Sequence, residues 1–446
     1  MNLAGLSFNA LPSIDLPFRY FITAPVFMFA CAALVFYSGD ILWVSRWHPH
    51  MLALTHGFTL GFLTMLMMGA LLQLLPVIGG IGLPFARQVA SFSHAFLIIG
   101  TVFLMLGFIL NKDWMFAIAL IALVLSIGVY LAALAWVLKK KLSQGDSIIG
   151  FRLAVISLFI VLLLGLALIS RNLGINTYLL SLDLPIDLSL DLPLIPAGEV
   201  LTNIHGLWGL IGWAGLLIIA VSFQVIPMFH VAPSFPQIIR RYLIPIIFTL
   251  LIVFIFLPSL ALPLLMISQG IFAICLLLTI AKRKRKVADT SIRYWQLGAV
   301  SLVVINTLYF IPSDIWSLYC IQEQGFVLTA IFVYFYLLSI IQGMLLKILP
   351  FLSYTHLQQA CLTNFSAMQY IPHMHEFMNK KQASWLYYLH LLSGLSLLLV
   401  LVQPVYYQGF ATLLVIESCG LLFLMLKTIR LYYITQHKMK TAAANT

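Results

Sequence analysis

The chain has 446 residues, 62% of them hydrophobic and 8% charged, with a formal net charge of +11. A soluble domain has about a quarter of its residues charged, so this composition, with a mean hydropathy of +1.06, excludes a soluble fold and requires a polytopic protein in a lipid bilayer. The basic excess does not argue for nucleic acid as a partner, because the lysines and arginines sit in short loops between apolar runs, as the positive-inside rule describes.

Apolar runs long enough to cross a hydrocarbon core fall near 18–38, 50–76, 87–110, 114–138, 148–170, 199–229, 240–259, 261–281, 293–313, 324–350, 385–403 and 408–432. These runs predict an all-α integral membrane protein, a single membrane domain over 1–446 with about twelve transmembrane helices. The N-terminal stretch lacks the basic region of a cleavable signal peptide, so Phe18 to Tyr37 is expected to remain as the first span. Arg87, the run 139–141, Arg240, Arg241, the run 282–286, Lys380, Lys381 and the tail lysines all fall on one side of the alternation. The opposite loops hold Asp183, Asp187 and Asp191, or Asp314 and Glu323, or almost no charge. That asymmetry predicts a multi-pass protein of the inner (cytoplasmic) membrane with both termini cytoplasmic. Between the fifth and sixth spans, Ser181–Pro185 and Ser189–Pro193 both read Ser-Leu-Asp-Leu-Pro. This acidic tandem is expected to form an external surface loop, with a docking patch for a cationic partner as the alternative.

Two spans follow one template. Thr55-His56-Gly57-Phe58 leads to Gln73 and Pro76, and Asn203-Ile204-His205-Gly206-Leu207 leads to Gln224 and Pro227. A third run ends at Lys347 and Pro350 without a histidine at the matching depth. These endings lie on the second, sixth and tenth spans, four apart, and divide the chain into three pseudo-repeats near 18–138, 148–281 and 293–432. Internal repeats of this kind commonly frame a central site in membrane folds. Coincidence among proline-terminated helices is the alternative.

Imidazoles inside a bilayer are costly and tend to mark function. His56 and His205 both map to the outer half of the membrane, and two imidazoles make a low-spin b-type haem site. Haem b is therefore the expected cofactor, with a structural hydrogen bond as the alternative for each histidine. A flat macrocycle needs small residues beside it, which Gly57, Gly61, Gly206 and Gly209 supply, although small residues also serve tight helix packing. His94, His230 and His390 map to the inner third on the third, sixth and eleventh spans. They are candidates for a second metal site, a haem site or a proton relay, and copper is a further candidate cofactor of the chain. His48 and His50 flank Pro49 at the outer mouth of the second span, where a haem propionate, a metal or an ordinary interfacial role all remain open. His356, His373 and His375 sit in the long inner loop with Glu376, without HExxH spacing. Gln73 and Gln224 are expected to bond across helices or to water, and Lys347 to snorkel. Glu417, the one acid well inside a span, is expected either to handle a proton or to pair with a neighbouring polar group. The five cysteines form no CxxC pair and no CxxCH haem-attachment site. There is no Walker A loop, GxSxG elbow or GxGxxG unit, so nucleotide and serine hydrolase chemistry have no support.

On the residues from Thr55-His56-Gly57-Phe58 and Gly61 through Gln73 and Pro76, and from His205-Gly206-Leu207 with Gly209, Gly212 and Trp213 through Gln224, Pro227 and Phe229, the chain resembles divergent haem–copper oxidase subunit I proteins and NnrS-type membrane haem proteins. The resemblance implies twelve helices in three pseudo-equivalent arcs and carries His56 over as a haem ligand. It carries His205 over on a helix that usually contributes the copper side. The tenth span lacks the two histidines that oxidases place there, and the adjacent copper histidines and the histidine–tyrosine partner are absent too. The expectation is thus an oxidase-like membrane protein in electron transfer or in haem or nitric oxide handling, with respiratory or redox proteins as partners, rather than in oxygen reduction. A haem-free transporter or metal-handling permease is the competing expectation.

Overall fold

The computed structural model describes residues 12–79, 81–140, 145–174, 197–319, 322–361 and 365–444. The acidic tandem at Ser181–Pro193 lies outside them. All regular elements among the described residues are helical. The long helices are α1 (Asp15–Ser38), α2 (Pro49–Pro76), α3 (Ala86–Leu110), α4 (Asp113–Lys139), α5 (Asp146–Asn172), α6 (Gly198–His230), α7 (Gln237–Phe256), α8 (Pro258–Ala281), α9 (Thr290–Tyr309), α10 (Gln324–Ala360), α11 (Lys380–Val402) and α12 (Tyr407–Ala444). Among the described residues, eleven spans are long and apolar enough to cross a membrane, and the chain is an all-α, multi-pass integral membrane protein. α9 forms where the ninth span was expected but is not among the eleven. Arg293, Gln296 and Asn306 dilute its apolar character.

Two features of these helices were not expected from the sequence. First, proline does not end the tenth span: α10 continues past Pro350 to Ala360. Pro76 and Pro227 likewise sit inside their helices. A proline inside a span is tolerated because neighbouring groups satisfy the backbone it frees. Second, three helices switch to π geometry midway: α2 over Gly57–Thr64, α6 over Trp208–Gly215 and α10 over Phe332–Leu338. The last π residue precedes the proline by twelve positions in each, from Thr64 to Pro76, Gly215 to Pro227 and Leu338 to Pro350. π turns inside α-helices cluster at functional sites.

Compactness divides the chain into two units. One comprises Pro76–Lys286 and Ala299–Pro312, the other Leu11–Leu75, Val287–Gly298 and Ser313–Thr446. In the first, α3 and α4 form a hairpin turned at Asn111, whose φ of 48° suits asparagine. Gly100 lets Leu123 approach so closely that an added Cβ would stand 2.7 Å from its Cγ, and the Ser126 hydroxyl donates to the Ser93 carbonyl at 2.7 Å. α5 packs on α6 where Gly150 meets Ala220, and Asp146 pairs with Arg240 of α7 at 2.7 Å. In the second unit, α1 lies against α2 and α12, with Phe18 edge-on to Tyr432 at 5.9 Å. α2 starts at Pro49, whose missing N–H costs nothing at a first helical position. His48 caps that end by accepting from the His50 N–H at 3.2 Å.

Candidate functional site

The most heavily hydrogen-bonded polar cluster on α9–α12 lies inside the second unit, on α10. The π turn of α10 carries Tyr334, and the α-helical stretch after it carries Ser339 and Gln342, three residues apart and hence on one face. α11 contributes His390, α12 contributes Glu417, and the first turns of α9 contribute Tyr294. Glu417, His390, Ser339, Gln342 and Tyr294 have no exposed surface, and Tyr334 keeps 3%.

Glu417 holds three donors. His390 Nδ1 lies 2.7 Å from its Oε1, Gln342 Nε2 donates to the same oxygen at 2.8 Å, and the Tyr334 hydroxyl donates to Oε2 at 2.8 Å. The other ring nitrogen of His390, Nε2, lies 2.7 Å from Ser339 Oγ. Tyr334 also stacks on the imidazole, with ring centroids 4.7 Å apart and planes 9° from parallel. Tyr294 donates to Gln342 Oε1 at 3.2 Å, and the Met28 thioether of α1 lies 4.0 Å from Gln342 Nε2. Two glycines permit this density. A Cβ on Gly394 would stand 2.5 Å from the Phe335 ring and 3.0 Å from Tyr334, and one on Gly343 would collide with Tyr294. A buried carboxylate without such partners would cost several kcal/mol. Of the two expectations for Glu417, pairing with polar neighbours is what the structure contains, and His390 is its main partner.

His56 lies in the same unit, at the last α-helical position of α2 before its π turn. Its Nδ1 is 2.8 Å from the Leu52 carbonyl, one turn back on its own helix. With Nδ1–H donating there, the tautomer and orientation of the ring are set. Gly61 serves packing: an added Cβ would collide with Phe27 of α1. Gly57 is buried beside His56.

His205 belongs to the other unit, on α6 three residues before its π turn. Gly165 of α5 faces its ring, with Cε1 3.3 Å from where a Cβ would stand. Among the described residues, and apart from their chain neighbours and their own helix backbone, no heavy atom comes within 4 Å of a Cβ built on Gly206, and Val161 alone reaches 4.0 Å at Gly209. Those two glycines therefore leave room beside His205, whereas Gly212 is packed against Ser157 at 3.1 Å.

Several of the remaining histidines have local partners. His50 Nδ1 meets the Ser38 hydroxyl at 2.9 Å, and the His373 N–H donates to Glu376 Oε1 at 2.9 Å around the short helix Met374–Phe377. Gln73 donates to the Pro12 carbonyl at 3.2 Å and meets His356 Nε2 at 3.4 Å, a bond across elements as expected. Lys347 pairs with Asp289, which also caps α9 by accepting from the Ser291 N–H at 3.0 Å. His94 and His230 lie in the first unit and His390 in the second. Among the described residues, no three His, Cys, Asp or Glu side chains are grouped to hold a metal ion.

Sequence reasoning missed Tyr334, Ser339, Gln342 and Tyr294. The signal was present in α10, where Ser339 and Gln342 interrupt an otherwise apolar run at helical spacing. The expected span 324–350 held no histidine, and His356, expected in the inner loop, lies instead near the end of α10, so they carried no sign of a binding role. Compared with known proteins, the chain matches no family model and no curated protein.

Proposed function

We propose that the chain is an oxidase-like haem protein of the inner membrane, with both termini cytoplasmic, working in electron transfer or in haem or nitric oxide handling with redox partner proteins. The observation that carries this reading is the pinned imidazole of His56. A main-chain carbonyl 2.8 Å from Nδ1 fixes tautomer and ring orientation, which is the outer-shell arrangement typical of a metal-binding histidine. His205 is the second candidate ligand. The clearance at Gly206 and Gly209 beside it suits a flat macrocycle. Bound haem b would supply one-electron chemistry, its potential tuned by the protein groups that held it.

The test is optical. Protein purified from haem-replete cells should show a Soret band, with α and β bands after dithionite. His56→Ala and His205→Ala should each change or abolish the low-spin spectrum. Colourless wild-type protein overturns the haem reading, and a spectrum unchanged in both variants overturns the ligand assignment. A second reading, a haem-free transporter or permease, is favoured by the ionisable pair Glu417–His390, because such groups inside a membrane mark ion and substrate paths. Colourless protein that remains folded selects it.

A further inference from the structure

We infer that Glu417 and His390 form a proton-binding site in the core of the second unit, taking up and releasing one proton by re-pairing hydrogen bonds that are already in place. The inference is independent of haem, since every atom it uses lies on α9 to α12.

Counting hydrogens carries the argument. In the form without the extra proton, His390 Nδ1–H and Gln342 donate to Glu417 Oε1, Tyr334 O–H donates to Oε2, and Ser339 O–H donates to His390 Nε2. Each donor has an acceptor, and the cluster carries one negative charge. A proton arriving from water can bind at Nε2. Nε2–H then donates to Ser339 Oγ, and the displaced serine hydrogen turns to the Tyr334 carbonyl, 3.4 Å away. Alternatively it binds at Oε2, which donates to the Tyr334 hydroxyl, whose own hydrogen turns to the His390 carbonyl, 3.3 Å away. Both routes leave the cluster neutral with no hydrogen stranded. A purely structural pair has no need of a second acceptor for each hydroxyl, and here both hydroxyls have one.

The two forms are opposed by different costs. Low dielectric favours the neutral form, whereas three donors on one carboxylate favour the charged form. The other titratable groups facing the pair are Tyr334 on α10 and Tyr294 on α9, with Tyr387 of α11 against Tyr294 at 5.0 Å. The neutral thioether of Met28 is what α1 presents.

The test is proton uptake and pH-difference infrared spectroscopy of the full chain in liposomes. Wild type should take up one more proton per chain than Glu417→Gln over the pH range scanned. A carboxyl or imidazolium band should appear as pH falls, be sensitive to deuterium, and be missing from Glu417→Gln. Equal uptake and superimposable spectra in the two folded proteins overturn the inference. Tyr334→Phe removes one re-pairing route while keeping the ring, and so reports even if Glu417→Gln does not fold. It should shift the midpoint by about one pH unit, a tenfold change in proton affinity. An unchanged midpoint in Tyr334→Phe overturns the inference as well.

Discussion

Helices α2 and α10 lie in one unit, and each carries a π turn ending twelve residues before a proline, yet they build their polar sites in opposite ways. On α2 the imidazole is its own, and it meets the Leu52 carbonyl four residues back on the same helix. On α10 there is no imidazole in the π turn. A tyrosine occupies it, and the imidazole comes from α11 to meet a carboxylate from α12. A site that borrows little from its neighbours can lose its central side chain cheaply, whereas a site assembled from four helices cannot.

Removing Glu417 should therefore produce the largest effect. Glu417→Ala strands His390, Gln342 and Tyr334, all of them buried. The expected loss is about 3–5 kcal/mol, because breaking a buried pair leaves its partners uncompensated. His56→Ala removes the hydrogen bond to the Leu52 carbonyl, a group of its own helix rather than of three neighbouring helices. It should cost only about 0.5–1.5 kcal/mol while bearing fully on the haem spectrum. Thermal unfolding of the two variants in detergent checks the contrast. Equal losses would mean that the α10 cluster is no more integrated than His56.

That contrast also separates what the sequence made legible from what it did not. The spans were legible because each is a continuous apolar run, and eleven meet both length and hydropathy requirements. α9 was legible as a helix although its polar residues weaken the membrane signal. The Leu52 contact of His56 is local, a matter of spacing along one helix. The Glu417 cluster was not legible, because Tyr294, Tyr334, His390 and Glu417 are brought together only by packing. The sequence marks Glu417 as anomalous without naming its partners. The π turns escaped notice because an extra residue per turn leaves no trace in composition. The packing role of Gly61 was one of two open alternatives, since a glycine on a helix face does not say whether a macrocycle or the Phe27 ring fills the space.

The next effect in size probes how tightly α11 closes over the π turn of α10. Gly394→Ala places a methyl 2.5 Å from the Phe335 ring and 3.0 Å from Tyr334. The rings must move, and overpacking of this kind costs about 1–3 kcal/mol. The displaced Tyr334 should also loosen its stacking on His390 and shift the infrared signature of the pair. Gly409→Ala, on α12 with nothing within 4 Å of its added Cβ, is the control and should leave both stability and spectrum near wild type. A Gly394→Ala protein that matches this control would show that α10 and α11 are not in firm contact there.

The smallest effect lies at the position three residues before each proline, where α2 has Gln73 and α10 has Lys347. Gln73 is 1% exposed and bonds to the Pro12 carbonyl and His356. The Lys347 and Asp289 side chains keep 26% and 25% of their surface and meet as an ion pair. Lys347→Gln copies the α2 residue into α10 and removes that pair, but Asp289 still accepts from the Ser291 N–H and so keeps its role at the start of α9. A partly exposed pair is worth about 0–1 kcal/mol, so unfolding should move little and the difference should shrink with added salt. The reverse exchange, Gln73→Lys, buries an ammonium where only a carbonyl and an imidazole wait, and should be destabilising by several-fold more. If the two exchanges cost the same, the equivalence in sequence position extends to environment, and the two helices differ less than their partners indicate.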